Sequence, residues 1–280
     1  TFIYPLASIR VRLVLCVVLM LLGRRACVGA SKRARAFCAS PAGANSPKCA
    51  NRSSVMASAL KYENPIVIPP ASGQATASMI FLHGLGDSGD GWADVAGQLS
   101  GRMKNMRFIF PHAPRRPITL NWGMQMPGWY DIASLEDINQ KEDEAGLQES
   151  MRFVEELVAK EVAAGVPAHR VVVGGFSQGG AVALLMLRAP TKLGAVLGLS
   201  TYLPLANAPV VLSDANKATP VLMCHGDADQ VVAYQFGRAT HSKLAQLGAD
   251  VDFATYQGMG HSACGAELKD IEEFLAKHMS

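Results

Sequence analysis

Ser177 stands in Gly175-Phe176-Ser177-Gln178-Gly179-Gly180, directly behind the apolar run Val171-Val172-Val173. A serine between glycines is common in any chain. A strand, a sharp turn and a helical stretch around it are a stronger signal, because that context exposes the hydroxyl on an elbow. The flanking glycines let neighbouring backbone approach without Cβ clashes. The chemistry such a serine can do is nucleophilic attack on an acyl carbon, and a hydroxyl is too weak for this at neutral pH without a base held by an acid. On strand–turn–helix elbows of this kind the acid precedes the base along the chain. The downstream histidines are His225, His241, His261 and His278. His261 lies in the loop Gly258–Ser262, between the last strand and the last helix, where a side chain can reach back over the sheet edge. His241 falls in a helical pattern and His278 at the terminus, so both are expected to face solvent. His225 precedes Gly226-Asp227 and suits loop structure. His261 is therefore the candidate base.

Two carboxylates lie in the segment His225–Val232. Asp227 is suited to holding its own loop through backbone N–H groups. Asp229 lies further out, ahead of Val231-Val232, and is preferred as the orienting acid. A tetrahedral intermediate also needs two N–H donors. Gln178 opens the helix after the elbow and offers one. The second is expected from the glycine-rich turn His83-Gly84-Leu85-Gly86-Asp87, with Leu85 N–H the candidate. A plain βα turn would explain the same glycines.

These residues need a scaffold that brings strand ends to one edge. From residue 62 onward, β-rich runs alternate with helical patterns, the pattern of a mostly parallel sheet covered by helices on both faces. Strands are expected at Ser78–Leu82, Arg107–Phe110, Arg170–Val173, Ala195–Leu199, Val221–Cys224 and Val251–Tyr256. Helices are expected at Glu144–Val162, Ala181–Leu187 and Ala263–Lys277. In the first, Leu147, Met151, Val154, Val158 and Val162 recur at three- and four-residue steps. With no internal repeat and no second linker, 62–280 reads as one α/β domain.

The net charge of +3 hides a split along the chain. Residues 1–55 carry nine Lys or Arg and no acid, leaving 17 basic against 23 acidic side chains in the rest, a net of −6. An acidic body lacks the cationic face that phosphate binding needs, so no nucleic acid is expected as partner. Cys16, Cys27, Cys38 and Cys49 recur at spacings of eleven that match no metal site, and no metal or cofactor is expected. Cys224 lies in an apolar run and Cys264 is the other body cysteine, so nothing demands an oxidising compartment. Arg10 and Arg12 precede the apolar run Leu13–Leu22, which is too short to span a bilayer but suits a signal segment. The Ser-, Ala- and Arg-rich stretch behind it resembles an organellar transit sequence. Either 1–55 is a targeting segment for a plastid or secretory route, or translation starts at Met56 and the protein is cytoplasmic. In both cases 1–55 is expected outside the fold.

Seven blocks together resemble the acyl-protein thioesterase and carboxylesterase family, also called lysophospholipase-like, of the α/β-hydrolases. They are Ile80–Gly89, Pro111–Pro114, Gly128–Ile132, Gly174–Gly180, Leu199–Pro204, Cys224–Asp229 and Gly258–His261, in the family's order. The resemblance covers about residue 64 to the C-terminus. It implies an α/β-hydrolase fold, with Ser177, Asp229 and His261 as triad and Leu85 and Gln178 as oxyanion donors. It implies release of acyl chains from protein cysteine thioesters, or cleavage of small carboxylic esters or lysophospholipids. It further implies an apolar acyl groove roofed by the loop Leu120–Trp129, whose Trp122, Met124, Met126 and Trp129 suit an alkyl chain. Family members often carry a palmitoylated cysteine near the N-terminus, and none follows Met56 here. S-acylated proteins or small acyl esters are thus the expected substrates, with at most peripheral membrane contact and a weak homodimer. The competing class is a hydrolase-fold receptor that binds a small ligand without turning it over, which an intact Ser, Asp and His set disfavours.

Overall fold

A computed structural model describes residues 60–136 and 141–279. The expectations for residues 1–55 lie outside that range. The elements in chain order are β1 (Ile66–Ile68), β2 (Ala77–Leu82), α1 (Asp90–Leu99), β3 (Met106–Phe110), β4 (Arg115–Ile118) and β5 (Met124–Pro127). They continue as α2 (Glu144–Ala163), β6 (Val171–Phe176), α3 (Gln178–Leu185), β7 (Ala195–Leu199) and β8 (Val221–Gly226), and end with α4 (Tyr234–Gln246), β9 (Val251–Tyr256) and α5 (Gly265–Met279).

The main sheet runs β1-β3-β2-β6-β7-β8-β9. Only β1 pairs antiparallel, through Ile66↔Phe110, while the strands from β3 to β9 run parallel. Parallel strands need helical crossovers, and these cover both faces. Side-chain alternation then divides each strand between two cores. Ile80, Leu82, Val171, Val173, Val196 and Met223 pack in one core, together with Leu147, Val154 and Val158 of α2 and all five residues Ala181–Leu185 of α3. Met79, Phe81, Val172, Phe176, Leu197 and Leu222 pack in the other, with Trp92 and Val95 of α1 and Ile271, Phe274 and Leu275 of α5. Strands buried on both faces read as continuous apolar runs, which is why β6 and β8 were visible in the sequence.

Several elements differ from expectation. β1, α1 and the β4–β5 hairpin were not anticipated, and the segment expected to be a loop over Leu120–Trp129 contains β5. In α2 the buried stripe is Gly146, Leu147, Ser150, Val154, Leu157, Val158 and Glu161, whereas Val162 is exposed. Four steps averaging almost four residues drift off a face that repeats every 3.6. His241 and His278 do not stand free in solvent. Each is half-buried, His241 against Phe253 and His278 against Phe274. Among the described residues no helix is long and apolar enough to cross a membrane.

The hairpin is fastened to the body by charge. Arg116 is buried, with its guanidinium 3.8 Å from Asp143 and 3.4 Å from Glu149. Asp143 caps α2 through Gly146 N–H at 3.0 Å and also accepts Asp131 N–H at 2.8 Å. One carboxylate therefore serves helix start, hairpin and return segment together.

Glu267, at the start of α5, is fully buried. Neither carboxylate oxygen has a hydrogen-bond partner of normal geometry. Burial pushes its pKa up to about 8, offset only in part by the nearby Cys264 N–H. The folded state then holds this proton more tightly than the unfolded chain, so stability falls as pH rises from the ordinary carboxylate range to about 8. Each tenfold difference in proton affinity between the two states is worth about 1.4 kcal/mol, so the penalty at pH 8 reaches several kcal/mol. Glu267→Gln should raise Tm, by more at pH 8 than at pH 5. Thermal melts at the two pH values check this, and an equal change at both would contradict it.

Candidate active site

Parallel pairing puts the C-terminal ends of β2, β6, β8 and β9 on one edge of the sheet, and the residues singled out by their chemistry lie just beyond those ends. Ser177 caps α3 with φ +54° and ψ −119°, a conformation that a residue with a Cβ rarely holds. The turn closes only because its neighbours are glycines. A Cβ on Gly175 would lie 2.4 Å from Gly179 C, and one on Gly179 would lie 2.3 Å from Leu82 O. Ser177 N–H donates to Leu199 O at 2.8 Å, and Thr201 Oγ donates to Ser177 O at 2.7 Å. The elbow is thereby held from β7 as well as β6.

Ser177 Oγ lies 2.9 Å from His261 Nε2, and His261 Nδ1 lies 2.8 Å from Asp229 Oδ2. A carboxylate only accepts, so Nδ1 carries the proton and Nε2 is left to accept from the serine hydroxyl. The Asp229 carboxylate is fully buried. Burial alone would raise its pKa. Hydrogen bonds from His225, His261 and Val231 N–H outweigh that and hold the group well below the usual carboxylate range. Its Oδ1 accepts Val231 N–H at 2.8 Å and Val232 N–H at 3.0 Å, so the valines anchor the acid by backbone rather than side chain. His225 belongs to β8, fully buried, with Nε2 donating to Val232 O at 2.9 Å and 3.4 Å from Asp229 Oδ2.

Asp227 holds the loop that carries His261, accepting Gly258 N–H at 2.6 Å. Ala228 N–H donates to Met259 O in the same contact. Phe176 backs the imidazole, with ring centroids 4.7 Å apart.

Gln178 is the first residue of α3, so its N–H faces outward at the helix N-terminus beside Ser177. Its side chain has a separate task that the sequence did not reveal. The carboxamide is buried, accepting Trp129 N–H at 2.9 Å and donating to Tyr130 O at 2.6 Å. Gly86 N–H donates to Pro127 O at 2.8 Å, and Trp129 Nε1 donates to His83 O at 2.8 Å. The segment 127–130 therefore clamps the turn around Leu85 and the start of α3 at once.

The four apolar residues expected to line one groove differ widely in exposure. Trp122 is 82% exposed and Met124 61% exposed at the hairpin turn. Met126 is half-buried, with Asn121 Nδ2 donating to its sulfur. Trp129 has 0% exposure and is a core residue, contrary to expectation. Its ring packs between His83 and Phe153, at centroid distances of 5.1 and 6.2 Å, and its indole N–H is satisfied inside the protein.

A mostly parallel sheet with helices on both faces, a serine on a strained elbow after the central strand, and a histidine and aspartate converging on it define an α/β-hydrolase. The family model described as Phospholipase/Carboxylesterase matches residues 63–279, and the chain belongs to that family. It is 48% identical over 225 residues to acyl-protein thioesterase 1 of Neurospora crassa, covering 77% of this chain and 92% of the relative. It is 46% identical over 229 residues to acyl-protein thioesterase 1 of Mycosarcoma maydis, covering 76% and 95%. Among solved structures it resembles Zea mays acyl-protein thioesterase 2, with TM-score 0.69, 30% identity and coverage of 78% of this chain and all of that one.

The two aspartates of the β8 loop should separate in kinetics. Asp229→Asn replaces an acceptor with a group that can donate toward Nδ1, stabilising the wrong tautomer, and should lower kcat by roughly 10³- to 10⁴-fold. Asp227→Asn keeps an oxygen for Gly258 N–H and should stay within about tenfold. Steady-state ester hydrolysis by the two folded variants checks this, and the reverse order would contradict the assignment.

Proposed function

We propose that this chain is a serine hydrolase that releases long acyl groups from cysteine thioesters on proteins and also cleaves small carboxylic esters. The observation that carries the reading is the continuous hydrogen-bonded line Ser177–His261–Asp229, with separations of 2.9 and 2.8 Å. The protein-thioester substrate is supported by relatives at 42–48% identity that are named acyl-protein thioesterases.

Ser177 Oγ attacks the acyl carbonyl carbon while His261 Nε2 takes the hydroxyl proton. Asp229 keeps the resulting imidazolium in place, and its lowered pKa leaves it ionised to do so. Negative charge gathers on the former carbonyl oxygen, where Leu85 and Gln178 N–H groups receive it. The tetrahedral intermediate collapses by breaking the carbon–sulfur bond, and His261 returns the proton to the departing thiolate. Water, activated by the same imidazole, then attacks acyl-Ser177, and the carboxylic acid leaves with the enzyme restored. Trp122 and Met124, exposed at the hairpin turn, and the half-buried Met126 offer apolar area for the acyl chain. Trp129 contributes by supporting the wall rather than by touching it.

Ser177→Ala should abolish covalent labelling by a fluorophosphonate and reduce hydrolysis to the roughly 10³–10⁴-fold over water that binding and oxyanion contacts supply alone. Activity within tenfold of wild type would remove Ser177 from the mechanism. Turnover of a palmitoyl-thioester peptide should exceed that of a short-chain nitrophenyl ester in kcat/KM. The opposite preference would make the chain a short-chain carboxylesterase.

A further inference from the structure

His83 is fully buried at the end of β2, beside the elbow but outside the line of proton transfer. Both ring nitrogens have partners whose roles admit one assignment. Ala113 contributes a backbone N–H, which can only donate, and it lies 3.0 Å from Nε2. Gly84 contributes a carbonyl oxygen, which can only accept, and it lies 2.7 Å from Nδ1. The imidazole is therefore neutral and carries its proton on Nδ1. Burial, reinforced by His112 nearby, lowers its pKa to about 4, in keeping with a ring that stays neutral.

The carbonyl of Gly84 and the N–H of Leu85 belong to the same peptide unit. In a trans peptide these two groups point in opposite directions, so fixing one fixes the other. Gly84 itself lies against the nucleophile: a Cβ built on it would be 3.5 Å from Ser177 Cβ. Gly84 O also accepts Asp87 N–H at 3.2 Å, and Gly86 N–H is committed to Pro127 O. The next N–H after Gly84 is that of Leu85.

We infer that His83 is a positioning residue of the oxyanion hole: by holding Gly84 O through Nδ1–H, it turns the Gly84–Leu85 peptide so that Leu85 N–H faces the developing oxyanion. This rests on the reading of Leu85 as an oxyanion donor. Ala113, on the turn after β3, fixes the tautomer. Trp129 Nε1 holds His83 O from the hairpin side. The histidine does not touch the substrate, and its effect belongs to the transition state, where the oxyanion exists.

Two substitutions separate its two hydrogen bonds. In His83→Asn the carboxamide nitrogen falls near the Nδ1 position and can still donate to Gly84 O, while the acceptor for Ala113 is lost. In His83→Gln the carboxamide lies near the Nε2 position, so Ala113 keeps an acceptor and Gly84 O loses its donor. His83→Gln should lower kcat by roughly 10²-fold, the scale for one misplaced oxyanion donor, with KM within about threefold. Its affinity for a trifluoromethyl ketone, whose hemiketal oxygen occupies the hole, should fall in parallel. His83→Asn should recover kcat to within about tenfold of wild type. A His83→Gln enzyme with kcat within threefold of wild type, equal losses in both variants, or unchanged ketone affinity would overturn the proposal. If a variant does not fold, the wild-type protein labelled with ¹⁵N in its imidazoles decides by NMR. A neutral His83 protonated on Nδ1 is expected, and an Nε2–H tautomer or a doubly protonated ring would overturn the proposal. Fluorophosphonate labelling of wild-type Ser177 is read separately and decides the hydrolase reading on its own.

Discussion

Ser177 is held at φ +54° at the end of the central strand, and that strained turn sets conditions for much of the molecule. A residue with a side chain adopts this backbone only if its surroundings leave no alternative. Here the start of α3 is pressed so closely onto β6 and the end of β2 that Gly175 and Gly179 have no room for a Cβ, while Leu199 of β7 contributes a carbonyl and Thr201, just beyond that strand, a hydroxyl to the same turn. The stability of the two flanking cores is what keeps the elbow bent. In return the hydroxyl stands at the sheet edge, and the N-terminus of α3 faces the same space.

The side chains and turns that face the serine from other parts of the chain lie on backbone-anchored loops. Asp229 is held by two valine N–H groups, the His261 loop by Asp227, and the Leu85 turn by Pro127 and His83. Backbone anchors have few soft dihedrals, so they hold geometry more tightly than contacts between long side chains. The 127–130 segment joins the Leu85 turn to the start of α3, and Arg116 with Asp143 joins the hairpin behind it to α2. The hairpin is thus rigid at its base and exposed at its turn, where Trp122 and Met124 stand.

The strands of the central sheet were readable because burial on both faces makes them short, β-branched runs, and α5 because its apolar residues keep the helical repeat. The missed elements had no such signature. β1 is three residues bracketed by prolines, β4 is Arg115-Arg116-Pro117-Ile118, and α1 opens on Asp90-Gly91. Each is stabilised by what it packs against, namely β3, β5 and the α5 face, rather than by its own composition.

The sequence by itself singled out residues whose types suit the proposed chemistry: a serine between glycines after an apolar strand, a histidine in the last loop, and an aspartate ahead of paired valines. Those assignments follow from residue type and chain order, which are local facts. Only the tertiary structure decided what His83, Gln178, Thr201 and Trp129 do. Their partners are main-chain atoms 1, 30, 46, 48, 49 or 24 residues away, and a peptide group carries no mark of its residue type. A tryptophan beside methionines looks like a ligand surface until its indole N–H is seen to be bound inside the protein. Which hydrogen-bonding side chain finds which backbone group is set by how the sheet and its loops converge, and that convergence is a property of the folded chain alone.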